Sequence, residues 1–356
     1  MTGRERILAA LNRREPDHVP TLEWVLATNV IDAMYGTKDP IEFARLADLD
    51  GLAVSLDYKN EILEEGKDGS GDVIRNEWGI VCKIHEEYPV PIRYPLEDIS
   101  DLEDFVIPDP DADYRYDKIK KTLKAFNGER LVIGRVRDVV SQPRDLLGFE
   151  NYLASFYTDE ELLHRLMQIS LDFSCRVCEN LHDLGVEVIV VGDDIANNNN
   201  LLMSPQMFRE TVLPYFTKLV QHAKSMNMKV IKHSDGDLNA VVKDLIGSGI
   251  DCLDPIDRRG HMDMAALKKA YGHRIAFKGN VDCVSTLVDQ PLDAVRRETA
   301  KCLLEGGQGG GLIISSSNSI HAGIHPDNWK YFLEVRKELG QYPLDTDRLE
   351  RIAQGG

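Results

Sequence analysis

The feature that most constrains this chain is an alternation. Short runs rich in β-branched residues are each followed by a stretch whose apolar residues recur every three to four positions. The runs are Asp50–Ser55, Leu131–Val136, Val186–Val191, Lys229–Lys232, Ile250–Leu253, Arg274–Phe277 and Gly311–Ile314. An initial strand near Val19–Trp24 would complete eight. The intervening segments read as amphipathic helices over Asp159–Leu184, Ser204–Met226, Leu238–Gly247, Met262–Tyr271, Leu292–Glu305 and Pro326–Leu339. Parallel strands need crossover connections, so repeated βα units predict a parallel sheet with helices outside. Without a glycine-rich dinucleotide fingerprint, this many units favour a closed (β/α)8 TIM barrel over a doubly wound sheet. The expectation is an α/β chain forming one domain over residues 1–356.

Residues 57–110 break the rhythm. Gly69–Asp72 reads as a tight turn between two short strands, the second over Glu77–Ile84, with proline and acidic residues following. The segment is expected to be an inserted hairpin region folding over the barrel mouth.

Composition narrows the partners. The net charge is −17, from 42 basic and 59 acidic residues, so the surface repels phosphate backbones and anionic lipids, and neither nucleic acid nor membrane is expected. No window approaches the ~18 consecutive apolar residues of a membrane span. The N-terminus lacks an apolar signal core, and six scattered cysteines fit a reducing compartment; the expected location is cytoplasmic. Cys175 and Cys178 share a helix with no second cysteine pair, which reads as packing and not as a zinc site. Gly306–Gly311 lacks the Gly-Lys-Ser/Thr ending of a phosphate loop and precedes a strand.

In a βα barrel the residues at the C-terminal strand ends share one pocket. Here those positions are polar strand after strand: Asp57 and Tyr58; Arg135, Arg137 and Asp138; Asp193 and Asp194; His233 to Asp237; Asp254 and Asp257; Lys278 to Asp282; Ser315 to His321. Some, Asp237 and Asp282 among them, are equally suited to cap the following helix. His233 and Asp235 carry the most weight. Alternate residues of an extended segment point the same way, so the pair could ligate a divalent metal or act as base and orienter in proton transfer. His321 is either a third ligand or a hydrogen-bonding partner of nearby backbone.

Residues 2–20, beginning Thr2-Gly3-Arg4-Glu5-Arg6, together with Asn76-Glu77-Trp78-Gly79, His233-Ser234-Asp235-Gly236, Lys278-Gly279-Asn280-Val281-Asp282 and the stretch from Gly309 to Asn318, resemble the uroporphyrinogen decarboxylase superfamily over about residues 2–340. The resemblance implies one of two activities: decarboxylation without a cofactor, or zinc-dependent methyl transfer between a corrinoid protein and an acceptor such as a thiol. It also implies a homodimer. The chain departs from both branches. The decarboxylases carry an Arg-Gln-Ala-Gly-Arg stretch after the first strand; here Glu23 to Asn29 contains an acid and no arginine, which argues against a substrate with eight carboxylates. The methyltransferases carry His-x-Cys and a later cysteine; here Asp235 and Asn318 stand near those cysteine positions. Oxygen ligands make a metal site harder and less thiophilic.

The preferred expectation is a corrinoid-dependent methyltransferase that takes a small-molecule methyl donor or acceptor. His233, Asp235 and Asp193 would be catalytic, and zinc would sit on His233, Asp235 and His321. Glu23, Asp57, Arg135, Arg137, Asp194, Lys278, Asn280 and Asn318 would contact substrate, with Arg135, Arg137 and Lys278 orienting an anionic group. The rivals are a metal-free decarboxylase or lyase of a small carboxylic acid or tetrapyrrole-related substrate, and a non-enzymatic binding protein on an inherited barrel.

Overall fold

The computed structural model describes residues 1–24, 26–66, 71–84, 89–192 and 194–355. Asp193 and residues 67–70, on which the first half of the expected Gly69–Asp72 turn falls, lie outside the described residues. In chain order the strands are β1 (Gly51–Val54), β2 (Asn60–Glu64), β3 (Val73–Asn76), β4 (Val81–Ile84), β5 (Pro89–Arg93), β6 (Leu131–Arg137), β7 (Val188–Gly192), β8 (Lys229–His233), β9 (Cys252–Asp254), β10 (Ala276–Lys278) and β11 (Leu312–Ile313). Seven form one curled parallel sheet in the order β1-β6-β7-β8-β9-β10-β11, so each βα unit adds its strand beside the last.

The segment expected to be an eighth strand, Val19–Trp24, is not one. It makes a single parallel bridge, Thr21 to Ile314, while the Thr21 carbonyl accepts from the Asp50 amide at 2.9 Å. Pro20 within it has no N–H to give to a ladder.

Strands β2 to β5 form a four-stranded antiparallel sheet in the order β2-β3-β4-β5, twice the strands of the expected hairpin. Glu77–Ile84 is not a continuous strand either. The Asn76 side-chain oxygen accepts from the amides of Trp78 and Ile80 at 3.0 and 3.1 Å, which folds Glu77–Gly79 into a turn before β4. Glu77 receives both terminal nitrogens of Arg115 at 2.9 Å, and the Arg115 guanidinium lies over the Tyr58 ring, 5.1 Å from its centroid. The small sheet is thereby tied to the chain that leaves β1.

Helices cover the outside largely as their periodicity predicts: Glu160–Asp183, Met264–Tyr271, Leu292–Gly306 and Pro326–Leu339. Two differ. Val242–Gly247 is shorter than expected. The Ser204–Met226 segment is broken into Pro205–Met207, a π-helical turn over Phe208–Val212 and a helix over Leu213–Ser225. Its start is as expected, since the Ser204 hydroxyl accepts from the Met207 amide at 3.1 Å. The interruption lies beside Pro214, which can donate no bond to the preceding turn.

Strand parity separates two cores. Leu131, Ile133, Val188, Val190, Ile231, Cys252, Ala276 and Ile313 pack with Ile7, Ala10 and Leu11 of the N-terminal helix (Gly3–Leu11) in one cluster inside the sheet. Their neighbours Val132, Ile189, Val191, Val230, Leu253, Phe277 and Leu312 face the outer helices. Continuing the inward set by two-residue steps reaches Arg135, Arg137, Gly192, His233, Asp254, Lys278 and Ser315. The apolar plug therefore gives way to polar groups at the C-terminal strand ends. Among the described residues no helix is long and apolar enough to cross a membrane.

Candidate active site

The polar layer is organised around one carboxylate. Asp254 is fully buried, and β8–β9 register sets it opposite His233. One Asp254 oxygen faces His233 Nδ1 at 2.6 Å and also accepts from the Trp24 indole N–H. The other accepts from Lys278 Nζ at 2.9 Å. Lys278 donates as well to the Ser315 hydroxyl at 2.9 Å and lies 4.5 Å from the Trp24 ring centroid. A buried carboxylate without such partners would neutralise itself. Burial indeed pushes against its charge, but Lys278 and His233 hold Asp254 below its ordinary value.

An ionised carboxylate only accepts, so His233 Nδ1 carries the hydrogen. Burial opposes the imidazolium, yet the Asp254 hydrogen bond and the charges of Asp254, Asp235 and Asp194 outweigh it and raise His233. Nε2 is left facing Asp194, 3.9 Å away. One ligand atom each from Asp194, His233 and Asp235 lie within 4.8 Å of one another. Asp194 also accepts from the Asp235 amide at 2.8 Å. One Asp235 oxygen accepts from the Asn318 side-chain amide; the other, Oδ1, is buried with no hydrogen-bond partner. Burial and the neighbouring acids push Asp235 up to about 7.

This group stands between two adjoining cavities that share Ser55, Arg135, Asn318 and Ser319. Asp235, Asp257 and Arg259 line the larger, about 720 Å³. Trp24, Tyr58, Arg137 and His233 line the smaller, about 270 Å³. Pro89 of β5 reaches the larger cavity, so the small antiparallel sheet contributes to its wall.

Several expected site residues are engaged elsewhere. Asp57 lines neither cavity; it pairs with Lys118 Nζ at 2.5 Å and accepts from the Lys118 amide at the start of a helix. Glu23 is fully buried, where it accepts from the Ser316 amide at 2.9 Å and hydroxyl at 2.6 Å, and burial raises its pKa. Lys278 is spent on Asp254 and Ser315, so it is not the expected anion-orienting group. Asn280, also fully buried, donates to the Ile256 carbonyl at 2.8 Å and receives Arg258. Arg137 reaches the smaller cavity but is paired with Asp145. His321 stands outside the Asp194–His233–Asp235 group. Its Nε2 donates to the Cys283 carbonyl at 2.7 Å and its Nδ1 accepts from the Gly323 amide at 3.0 Å, which leaves no lone pair for a metal. Asp193 cannot be placed among these contacts, being outside the described residues.

Asp237 and Asp282 fix turns, accepting from the amides of Asn239 and Val284 at 3.0 and 2.7 Å. Cys175 and Cys178 are free, and burial pushes the Cys175 thiol up to about 12. Sequence reasoning missed Trp24 and the central place of Asp254. The signal available was strand parity: Asp254 stands two residues after inward-facing Cys252, as His233 does after Ile231.

The uroporphyrinogen decarboxylase (URO-D) family profile matches residues 73–339. The methylcobamide:CoM methyltransferase MtaA of Methanosarcina barkeri is 26% identical over 327 residues, covering 86% of this chain and 90% of that protein. A uroporphyrinogen decarboxylase of Xanthomonas euvesicatoria is 25% identical over 333 residues, covering 87% and 90%. The solved structure of a methyltransferase from Methanosarcina mazei superposes with a TM-score of 0.73 at 21% identity, covering 95% of this chain and 99% of that one. With most of its length matched by the family profile, the chain belongs to the uroporphyrinogen decarboxylase family.

Proposed function

We propose that this protein is a methyltransferase that moves a methyl group between a corrinoid carried on a partner protein and a small-molecule donor or acceptor. The carrying observation is the Asp194–His233–Asp235 group between two cavities, with His233 Nδ1 pinned by Asp254. The similarity to MtaA, a methylcobamide:CoM methyltransferase by name, supports the reading. So does residue 23–29 chemistry: the only ionisable side chain there, Glu23, is buried, so this stretch offers no cation for a multiply charged porphyrinogen.

The residues fit a divalent cation. Asp235 Oδ1 is a buried acceptor without a partner, and His233 presents Nε2 while its other nitrogen is held by a carboxylate, the usual support of a ligating histidine. Asp194, His233 and Asp235 would hold zinc, which when bound polarises an acceptor and favours its deprotonated form. The protein supplies the rest. Asp254 fixes the His233 tautomer and ring plane. Asn318 orients the Asp235 carboxylate. Trp24 and Tyr58 wall the smaller cavity and limit water, and Arg135 stands where the two cavities join.

We read residues 1–356 as one barrel domain whose seven-stranded sheet is closed by residues 19–22 in place of an eighth strand; the hydrogen bonds of Thr21 to Asp50 and of Pro20 and Thr21 to Ile314 support closure. Six free cysteines support a reducing, cytoplasmic setting, and a homodimer belongs to the same reading.

Metal analysis of the purified protein tests the proposal. One equivalent of metal, lost in His233→Ala, is expected. A metal-free protein that releases carbon dioxide from a small carboxylic acid would establish the lyase instead.

A further inference from the structure

Glu23 and Trp24 are consecutive and both buried, in a stretch that belongs to neither helix nor strand. This is the stretch in which the chain departs from the arginine-bearing decarboxylase pattern. Successive side chains of an extended segment leave it on opposite sides. Trp24 packs with the cluster inside the sheet, whereas Glu23 meets Ser316 in the loop after β11.

The Trp24 side bears on His233. Its indole N–H donates to the same Asp254 oxygen that faces His233 Nδ1, while Lys278 Nζ holds the other oxygen at 2.9 Å. The Lys278 charge draws the carboxylate toward itself and away from the imidazole. A second donor on the far oxygen opposes that turn. Lys278 is fixed in its place as well: its Nζ donates to the Ser315 hydroxyl at 2.9 Å and stands 4.5 Å from the centroid of the Trp24 ring. The Glu23 side bears on Asp235. Its two oxygens accept from the Ser316 amide at 2.9 Å and the Ser316 hydroxyl at 2.6 Å. The same hydroxyl lies 3.1 Å from the Asn318 carbonyl oxygen, and the Asn318 side-chain amide donates to Asp235.

We infer that Glu23 and Trp24 are positioning residues, a two-armed brace in which one dipeptide orients His233 through Asp254 and Asp235 through Ser316 and Asn318. The inference rests on the reading of Asp194, His233 and Asp235 as the metal-holding group, and it adds the residues that set their geometry from within the fold.

Nuclear magnetic resonance of the full, metal-free chain reads each arm separately. The His233 Nδ1 proton, assigned by its loss in His233→Ala, reports the first arm. The Asn318 side-chain amide, assigned by its loss in Asn318→Ala, reports the second. Trp24→Phe keeps a ring beside Lys278 and removes the indole N–H; it is expected to shift and broaden the His233 resonance and leave the Asn318 amide in place. Ser316→Ala is expected to do the reverse. Competitive zinc titration against a chelator should then show a loss of about tenfold in each variant, as for other supports of a ligating residue. Trp78→Phe removes a buried indole N–H that has no hydrogen-bond partner and leaves all three readings as in the parent. An unmoved His233 resonance in Trp24→Phe, or an unmoved Asn318 amide in Ser316→Ala, overturns the corresponding arm. Both resonances moving together in either variant also overturns the inference, since that is general loosening. A parent that binds no zinc defeats the metal reading instead, and the two resonances still decide the brace.

Discussion

His233 Nδ1 lies 2.6 Å from Asp254, and the contact is a product of sheet register: the two residues are Cα partners across β8 and β9. Asp254 in turn is neutralised from its other oxygen by Lys278. The acid is therefore available to hold the imidazole with Nε2 directed at Asp194 and Asp235.

Replacing Asp254 with Asn keeps the shape but reverses what His233 can do, because an amide can donate to Nδ1 and flip the tautomer. Loss of such a support typically costs a ligating histidine about 10- to 100-fold in metal affinity. Asp254→Asn is expected to show that loss in competitive chelator titrations while the far-UV circular dichroism is retained. Metal affinity equal to the parent's would remove Asp254 from the site.

The pair Lys232–Asp138 is a second buried link, with Nζ and Oδ2 2.5 Å apart and both side chains almost wholly enclosed. Asp138 also accepts from the Val140 amide at 2.7 Å. Removing Lys232 leaves the Asp138 carboxylate buried without its cation, at a cost of about 3 kcal/mol or more. Lys232→Met is expected to lower denaturant-unfolding stability by that order, and the addition of Asp138→Leu to restore part of it. A single variant as stable as the parent would contradict the assignment.

Acid sensitivity has an identifiable contributor at His18. Burial first, then the charges of Arg6 and Arg336, push its folded pKa down to about 4 from 6.5, outweighing Asp17, whose carboxylate lies 3.6 Å away. The unfolded chain consequently binds more protons between those values, so the contribution is complete above pH 6.5 and is lost as the pH falls toward 4. In thermal unfolding the parent should lose stability relative to His18→Gln as the pH is lowered through this window. Parallel Tm–pH curves would exclude His18.

The clamp between Glu77 and buried Arg115 predicts a link from the small sheet to the cavity. Glu77→Gln weakens a bidentate ion pair and loosens the Tyr58 wall that Arg115 stacks upon. Substrate KM is expected to rise by more than kcat falls, since positioning and not chemistry is disturbed. Faster amide exchange in β2–β5 should accompany it. Unchanged exchange in these strands would separate the motif Asn76–Gly79 from the site.

How far the sequence could be read differs by feature, for physical reasons. Seven strands and the six helical segments between Asp159 and Leu339 were legible because period-2 and period-3.6 patterns are local properties of the chain. His233 and Asp235 were legible for the same reason, being alternate residues at a strand end. The partner of His233 was not, since it depends on pairing between strands that are 21 residues apart. The polarity of Glu23, Asp57, Lys278 and Asn280 suggested substrate contact, yet each satisfies a neighbouring loop, helix or buried acid. Polar type at a strand end does not reveal which neighbour claims it first. The role of Asn76–Gly79 was hidden likewise, because a turn and a buried ion pair use the same residue types as a binding motif.

The most direct test of the central claim is anaerobic demethylation of methylcobalamin by the purified protein with added zinc and a panel of thiol and folate acceptors, followed by its change in visible absorbance. The account predicts conversion by the parent and a decrease of at least about a hundredfold in His233→Ala. Conversion by neither form with any acceptor, or equal rates for both, would contradict it.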